Sequence, residues 1–326
     1  MLVEIKSPTR VDLAGGTLDC WPLYNFVGSC WTINLSISIY TGVKLKLRDD
    51  KKVLVTVKDL NYHKMFDSID ELFICDDKEL DILKACLNYW KPQKGLEIET
   101  YSDSPVGGGL GGSSSLMISL LKAFGKIFNK NWELKQLVTV AHNLEASLLH
   151  TPTGTQDYVP AAQTGLNLIK YSPEGFSVET LPYDVNYFSE RMLVVYTGRS
   201  HHSGINNWQV LKEAVEKRAK TLEALQEVAE ISKDLRQICI NGEWEQLPQV
   251  FKREFNARTK LSEGFSSPEI LNLEVIALKN GAEAVKICGA GGGGCVMIWS
   301  PPDKKEKLSQ EIQSKGFQVL AANPLR

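Results

Sequence analysis

Hydrophobic and polar positions change period several times along this 326-residue chain. Residues 2–6 alternate as a first strand does, and residues 29–58 hold further strand-like runs at 30–35 and 53–57. Residues 96–101 alternate again and lead into a glycine-rich stretch at 104–112. Beyond it the period becomes helical. Leu116, Leu120, Phe124 and Ile127 fall three or four apart, as do Leu134, Leu137, Val138 and Ala141. The glycine stretch therefore joins a strand to a helix beginning near Ser113–Ser115, residues suited to a helix N-terminus. Residues 165–197 return to strand-like patterning. Residues 206–241 read as strongly helical, with a stripe from Leu211 to Ile238 that predicts core packing. A second glycine-rich stretch, 289–294, lies between apolar runs at 285–288 and 295–299, so its context is strand–loop–strand.

Composition excludes several function classes. Hydrophobic residues make up 43% and charged residues 23%, an ordinary globular balance, and the length fits two domains. The net charge is -2 and no long basic run occurs, which argues against nucleic-acid binding while leaving room for a local phosphate pocket. The seven cysteines are widely spaced with no CxxC, so reduced thiols of a cytoplasmic protein are expected, not a disulfide framework or a zinc site. Neither a secretory signal nor a membrane span is expected from the apolar runs.

The chemistry concentrates in the first glycine stretch, which runs from Ser104 through Gly107, Gly108, Gly109, Leu110, Gly111 and Gly112 to Ser113, Ser114 and Ser115. Glycines let a backbone approach a ligand closely, and a loop placed before a helix aims N–H groups and the positive end of the helix dipole at one spot. This is an anion site suited to a polyphosphate. A Walker A loop would need Gly-Lys-Ser/Thr at its end, and no lysine follows here. A dinucleotide fingerprint is met literally by Gly107, Gly109 and Gly112, and again by Gly289, Gly291 and Gly294. It also requires an acidic residue at the end of a second strand some ~20 residues on, and that region here is helical.

With two further segments the chain resembles the GHMP kinases, the superfamily of galactokinase, homoserine kinase, mevalonate kinase and phosphomevalonate kinase. The first segment runs from Ser7 to Asp19 and carries Arg10-Val11-Asp12 and Gly15-Gly16-x-x-Asp19. Its form is most similar to the sugar kinases, notably fucokinase and the heptose phosphate kinases. The second is Lys286-Ile287-Cys288-Gly289-Ala290-Gly291-Gly292-Gly293-Gly294. The stretches 141–145 and 150–157 are similar to the part of the family that carries a metal-binding glutamate and a catalytic aspartate.

The resemblance implies an α+β fold of two domains, an N-terminal one like ribosomal protein S5 domain 2 over residues 1–175 and a C-terminal ferredoxin-like one over 176–326. It implies ATP and Mg2+, and transfer of the γ-phosphoryl group to a hydroxyl of a sugar or sugar phosphate, the anomeric hydroxyl among the candidates. Asp157 would be the base or orienting carboxylate, and Arg10 the cation near the transferring phosphate. Residues Gly107 to Ser114 would bind ATP. Glu145 with Ser113 or Ser114 would hold the metal, and the choice of serine stays open because Gly112 stands where many members have serine. Asp19, Gly16, Gly291 and Gly292 would lie against the substrate. Asp12 would either join them or be structural. His201 and His202 form a polar loop that is also a candidate for substrate contact. Of Trp21, Tyr24 and Trp31, one would stack on sugar or base, with Trp31 favoured for the core. The expected partner is a small molecule, with no nucleic acid or membrane, in a monomer or homodimer. A mevalonate-type kinase is the alternative enzyme, although that group typically has Gly-Glu-His where this chain has Gly15-Gly16-Thr17. A ligand sensor on the same fold is the alternative without chemistry, opposed by the presence of Arg10, Glu145 and Asp157.

Overall fold

The computed structural model describes residues 2–200 and 203–326. Seven strands make the first sheet: β1 (Leu2–Ala14), β2 (Cys30–Leu47), β3 (Val53–Val57), β4 (Tyr62–Phe66), β5 (Leu96–Ser102), β6 (Leu166–Ser172) and β7 (Gly175–Leu181). Their order is β4-β3-β5-β2-β6-β7, with β1 paired to β2 alone. The long β2 carries β1 along one edge and divides its other edge between β6, at residues 30–35, and β5, at residues 41–47. Six helices accompany this sheet: α1 (Leu23–Phe26), α2 (Ile69–Ile74), α3 (Asp81–Trp90), α4 (Gly112–Ile127), α5 (Leu134–Leu149) and α6 (Tyr158–Ala162).

Four strands, β8 (Met192–Tyr196), β9 (Ala284–Ile287), β10 (Cys295–Trp299) and β11 (Gln318–Leu320), form a second, antiparallel sheet in the order β11-β8-β10-β9. Counted by their own sequence this is 4-1-3-2, the order of a ferredoxin-like sheet. Its helices are α7 (Val185–Ser189), α8 (Ser203–Val215), α9 (Ala219–Asn241), α10 (Leu247–Leu261), α11 (Pro268–Lys279) and α12 (Pro302–Ser314). The strands alternate as a sheet buried on both faces must. Val194 and Met297 join the main core, while Leu193, Val195, Val296 and Ile298 join a smaller core with Ile270, Leu273, Leu308 and Ile312 from α11 and α12.

The structure corrects two expectations. The first strand continues to Ala14 instead of ending near residue 6, because residues 7–14 are buried on both faces and lose all alternation. The helical stretch 206–241 is two helices, broken after Val215 where Lys217 adopts a left-handed φ of 59°. No glycine or proline marks that break in the sequence.

Candidate active site

Residues 104–111 carry the chain from β5 into α4. Gly107, Gly109 and Gly111 take φ values of 65°, 68° and 74°, the region where a Cβ is strained. The loop is fixed from behind. Gly108 O accepts from Cys295 N at 2.7 Å, Leu110 O accepts from Arg10 N at 3.1 Å, and the Leu110 side chain is fully buried. The two glycine stretches lie backbone to backbone: a Cβ on Gly289 would stand 2.9 Å from Gly109 Cα. Among the described residues no side chain caps α4, and Gly112 and Ser113 open onto the cleft. Its first-turn N–H groups and the helix dipole are therefore available to an anion.

Beside this loop, Arg10 of β1 reaches Asp157 with Nε at 2.9 Å and Nη2 at 2.6 Å, both to Oδ1. Its Nη1 donates to Gly109 O and Cys288 O, each at 2.7 Å. Burial opposes the Arg10 charge, but Asp157 and Asp12 outweigh it and hold the guanidinium protonated. Asp157, at the start of α6, is more open than its partner, with 27% of its side chain exposed against 3%. One oxygen of this carboxylate is thus committed to Arg10, while Oδ2 has no such bond.

Glu145 of α5 is buried, and three hydroxyls donate to it: Ser113 to Oε1, and Ser114 at 2.8 Å and Tyr158 at 2.6 Å to Oε2. Burial pushes its carboxyl up, and the three hydroxyl bonds act the other way. Ser115 turns to the opposite side of α4 and lies 2.9 Å from Pro8 O, which seats the helix on β1.

At the other end of the cleft Asp19 is 4% exposed and accepts from Gln156 N at 3.1 Å. Burial first, and the charge of Asp157 second, push its carboxyl up to about 7. A Cβ on Gly154 would overlap this carboxylate, so glycine is required there. Thr17 donates to Asn207 of α8 at 3.3 Å across the same corner. Arg10, Thr17, Asp19, Glu145, Asp157 and Asn207 line one cleft of about 680 Å³. A separate pocket between Glu190, Leu193, Pro302 and Lys305 touches none of them.

Three expected substrate groups lie elsewhere. Gly291 and Gly292 pack on Phe265, whose carbonyl accepts from Gly292 N at 3.0 Å. Gly16 is buried where a Cβ would strike Asp12 and Arg258. Asp12 itself is fully buried and pairs with Arg258 of α10 at 2.6 Å. Of the aromatics, Trp21 is 67% exposed, Tyr24 stacks on Tyr171, and Trp31 packs against the core. His201 and His202 lie outside the described residues.

The description "GHMP kinases N terminal domain" matches residues 79–165 and "GHMP kinases C terminal" matches 211–318, together more than half of the chain. The chain belongs to the GHMP kinase family. Among its relatives is the D-glycero-alpha-D-manno-heptose 7-phosphate kinase of Campylobacter jejuni, 27% identical over 96% of this chain and 94% of that one. A mevalonate kinase of Saccharolobus solfataricus is 24% identical over 91% and 90%. The crystal structure of a D-glycero-D-manno-heptose 1-phosphate kinase from Bacteroides thetaiotaomicron superposes with a TM-score of 0.79, at 20% identity, over 99% of this chain and 96% of that one. The GHMP kinases use ATP as phosphate donor. Among the described residues, no helix is long and apolar enough to cross a membrane.

Sequence reasoning did not single out four further residues at or beside this cleft. Gln156 and Tyr158 flank Asp157, and Asn207 and Arg258 come from α8 and α10. Arg258 alone left a signal, since Glu254 and Arg258 sit four apart among Val250, Phe251, Phe255 and Leu261 on a helix whose polar face they would otherwise share.

Proposed function

We propose that the cleft transfers the γ-phosphoryl group of ATP to a hydroxyl of a sugar or sugar phosphate. The observation that carries this reading is the Arg10–Asp157 pair, which stands beside the glycine loop and α4, with Glu145 and its serines on one side and Asp19 on the other. Phosphoryl transfer needs positioned phosphates, neutralised charge and an oriented acceptor more than covalent help. Asp157 accepts the proton of the acceptor hydroxyl as its oxygen attacks, and Arg10 holds the carboxylate in place through two hydrogen bonds to Oδ1. The loop N–H groups and the start of α4 receive the phosphates.

The Glu145 carboxylate beside the Ser113 and Ser114 hydroxyls offers the hard oxygen donors that Mg2+ takes. Bound there, the ion would neutralise charge on the phosphate oxygens. Ser113 opens onto the cleft and Ser114 is buried, which favours Ser113 as the hydroxyl ligand.

Asp19 supports the sugar reading. A carboxylate accepts two hydroxyl hydrogen bonds in a fixed arrangement, as a polyol presents them. The Gly15-Gly16-x-x-Asp19 form and the heptose 7-phosphate kinase relative point the same way. The enzyme with Mg-ATP is to be tested against D-glycero-α-D-manno-heptose 7-phosphate, L-fucose, D-galactose and mevalonate, following ADP release. A sugar is expected to turn over. Turnover of mevalonate alone would overturn the substrate class, and binding of a polyol without turnover would leave the sensor reading.

Asp19→Ala is expected to raise the acceptor KM far more than the ATP KM. An equal rise in both would make Asp19 structural. Its carboxyl, near 7 in the free protein, is neutral below that pH and a weaker acceptor. The acceptor kcat/KM of the wild type should therefore fall as pH drops through about 7, and Asp19→Asn should lose that limb of the profile. A limb that persists in the variant belongs to another group.

A further inference from the structure

Directly behind the acceptor corner lie four charged side chains that the reaction above does not use. Lys286 of β9, Glu254 and Arg258 of α10, and Asp12 of β1 are each 0–1% exposed. Lys286 Nζ stands 3.0 Å from Glu254 Oε2 and 3.6 Å from Asp12 Oδ2. Arg258 donates from Nε to Glu254 Oε1 at 2.7 Å and from Nη2 to Asp12 Oδ2 at 2.6 Å. Two cations and two anions balance. Such a group is costly to desolvate, and apolar packing of the same volume is often as stable, so stability alone is a poor account of it.

Its placement gives a better account. Asp12 belongs to the strand that carries Arg10 two residues earlier, while Glu254, Arg258 and Lys286 belong to the elements of the second sheet. The network ties the two halves together under the cleft floor. Arg258 is its exit to the cleft: it lines the cavity together with Asp19, and its charge and that of Asp19 act on each other. Its Nη1 reaches Gly289 O at 3.3 Å and carries a second N–H that meets no acceptor among the described residues. Gln156 Oε1 and Asp12 Oδ1 are buried in the same corner without a hydrogen-bond partner among the described residues. Gly16 is what admits this arrangement, since its Cβ would stand 2.8 Å from both Arg258 Nη2 and Gln156 Nε2.

We propose that Asp12, Glu254 and Lys286 are positioning residues that present Arg258 to the acceptor, and that Arg258 sets acceptor affinity beside Asp19. The proposal rests on the reading that the Asp19 corner receives the acceptor. Guanidinium and ammonium are not interchangeable where two carboxylates and a free N–H are held at once. Arg258→Lys keeps the charge and loses that geometry.

The test measures KM for acceptor and for ATP in wild type, Arg258→Lys and Asp19→Ala, with the sugar of the panel above that turns over fastest. In Arg258→Lys the acceptor KM should rise about tenfold or more, the scale of one charge-assisted hydrogen bond, with the ATP KM within about twofold. An unchanged acceptor KM in folded Arg258→Lys, with Asp19→Ala still impaired, overturns the proposal and leaves the acceptor reading standing. An unchanged acceptor KM in Asp19→Ala overturns the reading and the proposal with it. Should Arg258→Lys not fold, the charge-balanced pair Glu254→Gln with Lys286→Met keeps the Asp12–Arg258 contact and removes its outer support. A rise confined to the acceptor KM supports the proposal there, and unchanged or equally raised KM values overturn it.

Discussion

Asp157→Asn is expected to lower kcat by about 10²–10⁴-fold while ATP binding stays within a few-fold of wild type. Asparagine keeps the shape and one oxygen for Arg10, so the loop against Gly111 is undisturbed. What it loses is the proton acceptor. The charge partner of Arg10 goes with it, and the two carbonyls of Gly109 and Cys288 remain to hold the guanidinium. A modest drop in thermal stability is therefore expected beside the kinetic loss. Turnover measured under saturating ATP and acceptor, with ATP binding followed separately by calorimetry, distinguishes the two effects. Normal kcat in this variant would remove Asp157 from the mechanism.

Glu145→Gln should produce the second large loss, through a different variable. The carboxylate is buried, accepts from Ser113, Ser114 and Tyr158, and so holds the first turn of α4. Glutamine fills the same space and keeps an oxygen for the hydroxyls, but carries no charge. The Mg2+ concentration for half-maximal rate should rise about 10- to 100-fold, the scale seen when a metal's immediate support is removed. ATP binding in the absence of Mg2+ should hardly move. If the variant instead loses stability and keeps the wild-type Mg2+ dependence, Glu145 serves only to gather three hydroxyls.

Local changes of element were legible in the chain itself. Gly107 to Ser114 could be read as a loop between strand and helix because strand alternation stops and helical spacing starts across it, and the structure places α4 from Gly112. Arg10 and Asp157 lie 147 positions apart, and their contact became legible only through the resemblance of both stretches to one family. Asp12 stayed open between substrate contact and a structural role because motif position says nothing of which face of β1 is turned outward once residues 7–14 are buried on both sides. Lys286 was named as part of a glycine motif, but its pairing was not legible. It stands in an apolar run, where a lysine reads as a strand residue turned to solvent, yet it is fully buried against two carboxylates brought from Asp12 and Glu254. Long-range ion pairing of this kind leaves no period in the sequence.

The backbone contact between the two glycine stretches has a consequence for how the protein acquires its site during folding. Gly108 and Gly109 touch Gly289 and Cys295, close to two hundred residues later in the chain. The first loop therefore lacks its final contacts when only its own strand and helix have formed. It waits for the last third of the chain to fold back, a closure whose entropic cost must be met before either loop is in place. A chain cut between the two sheets would carry both glycine stretches without their mutual contact.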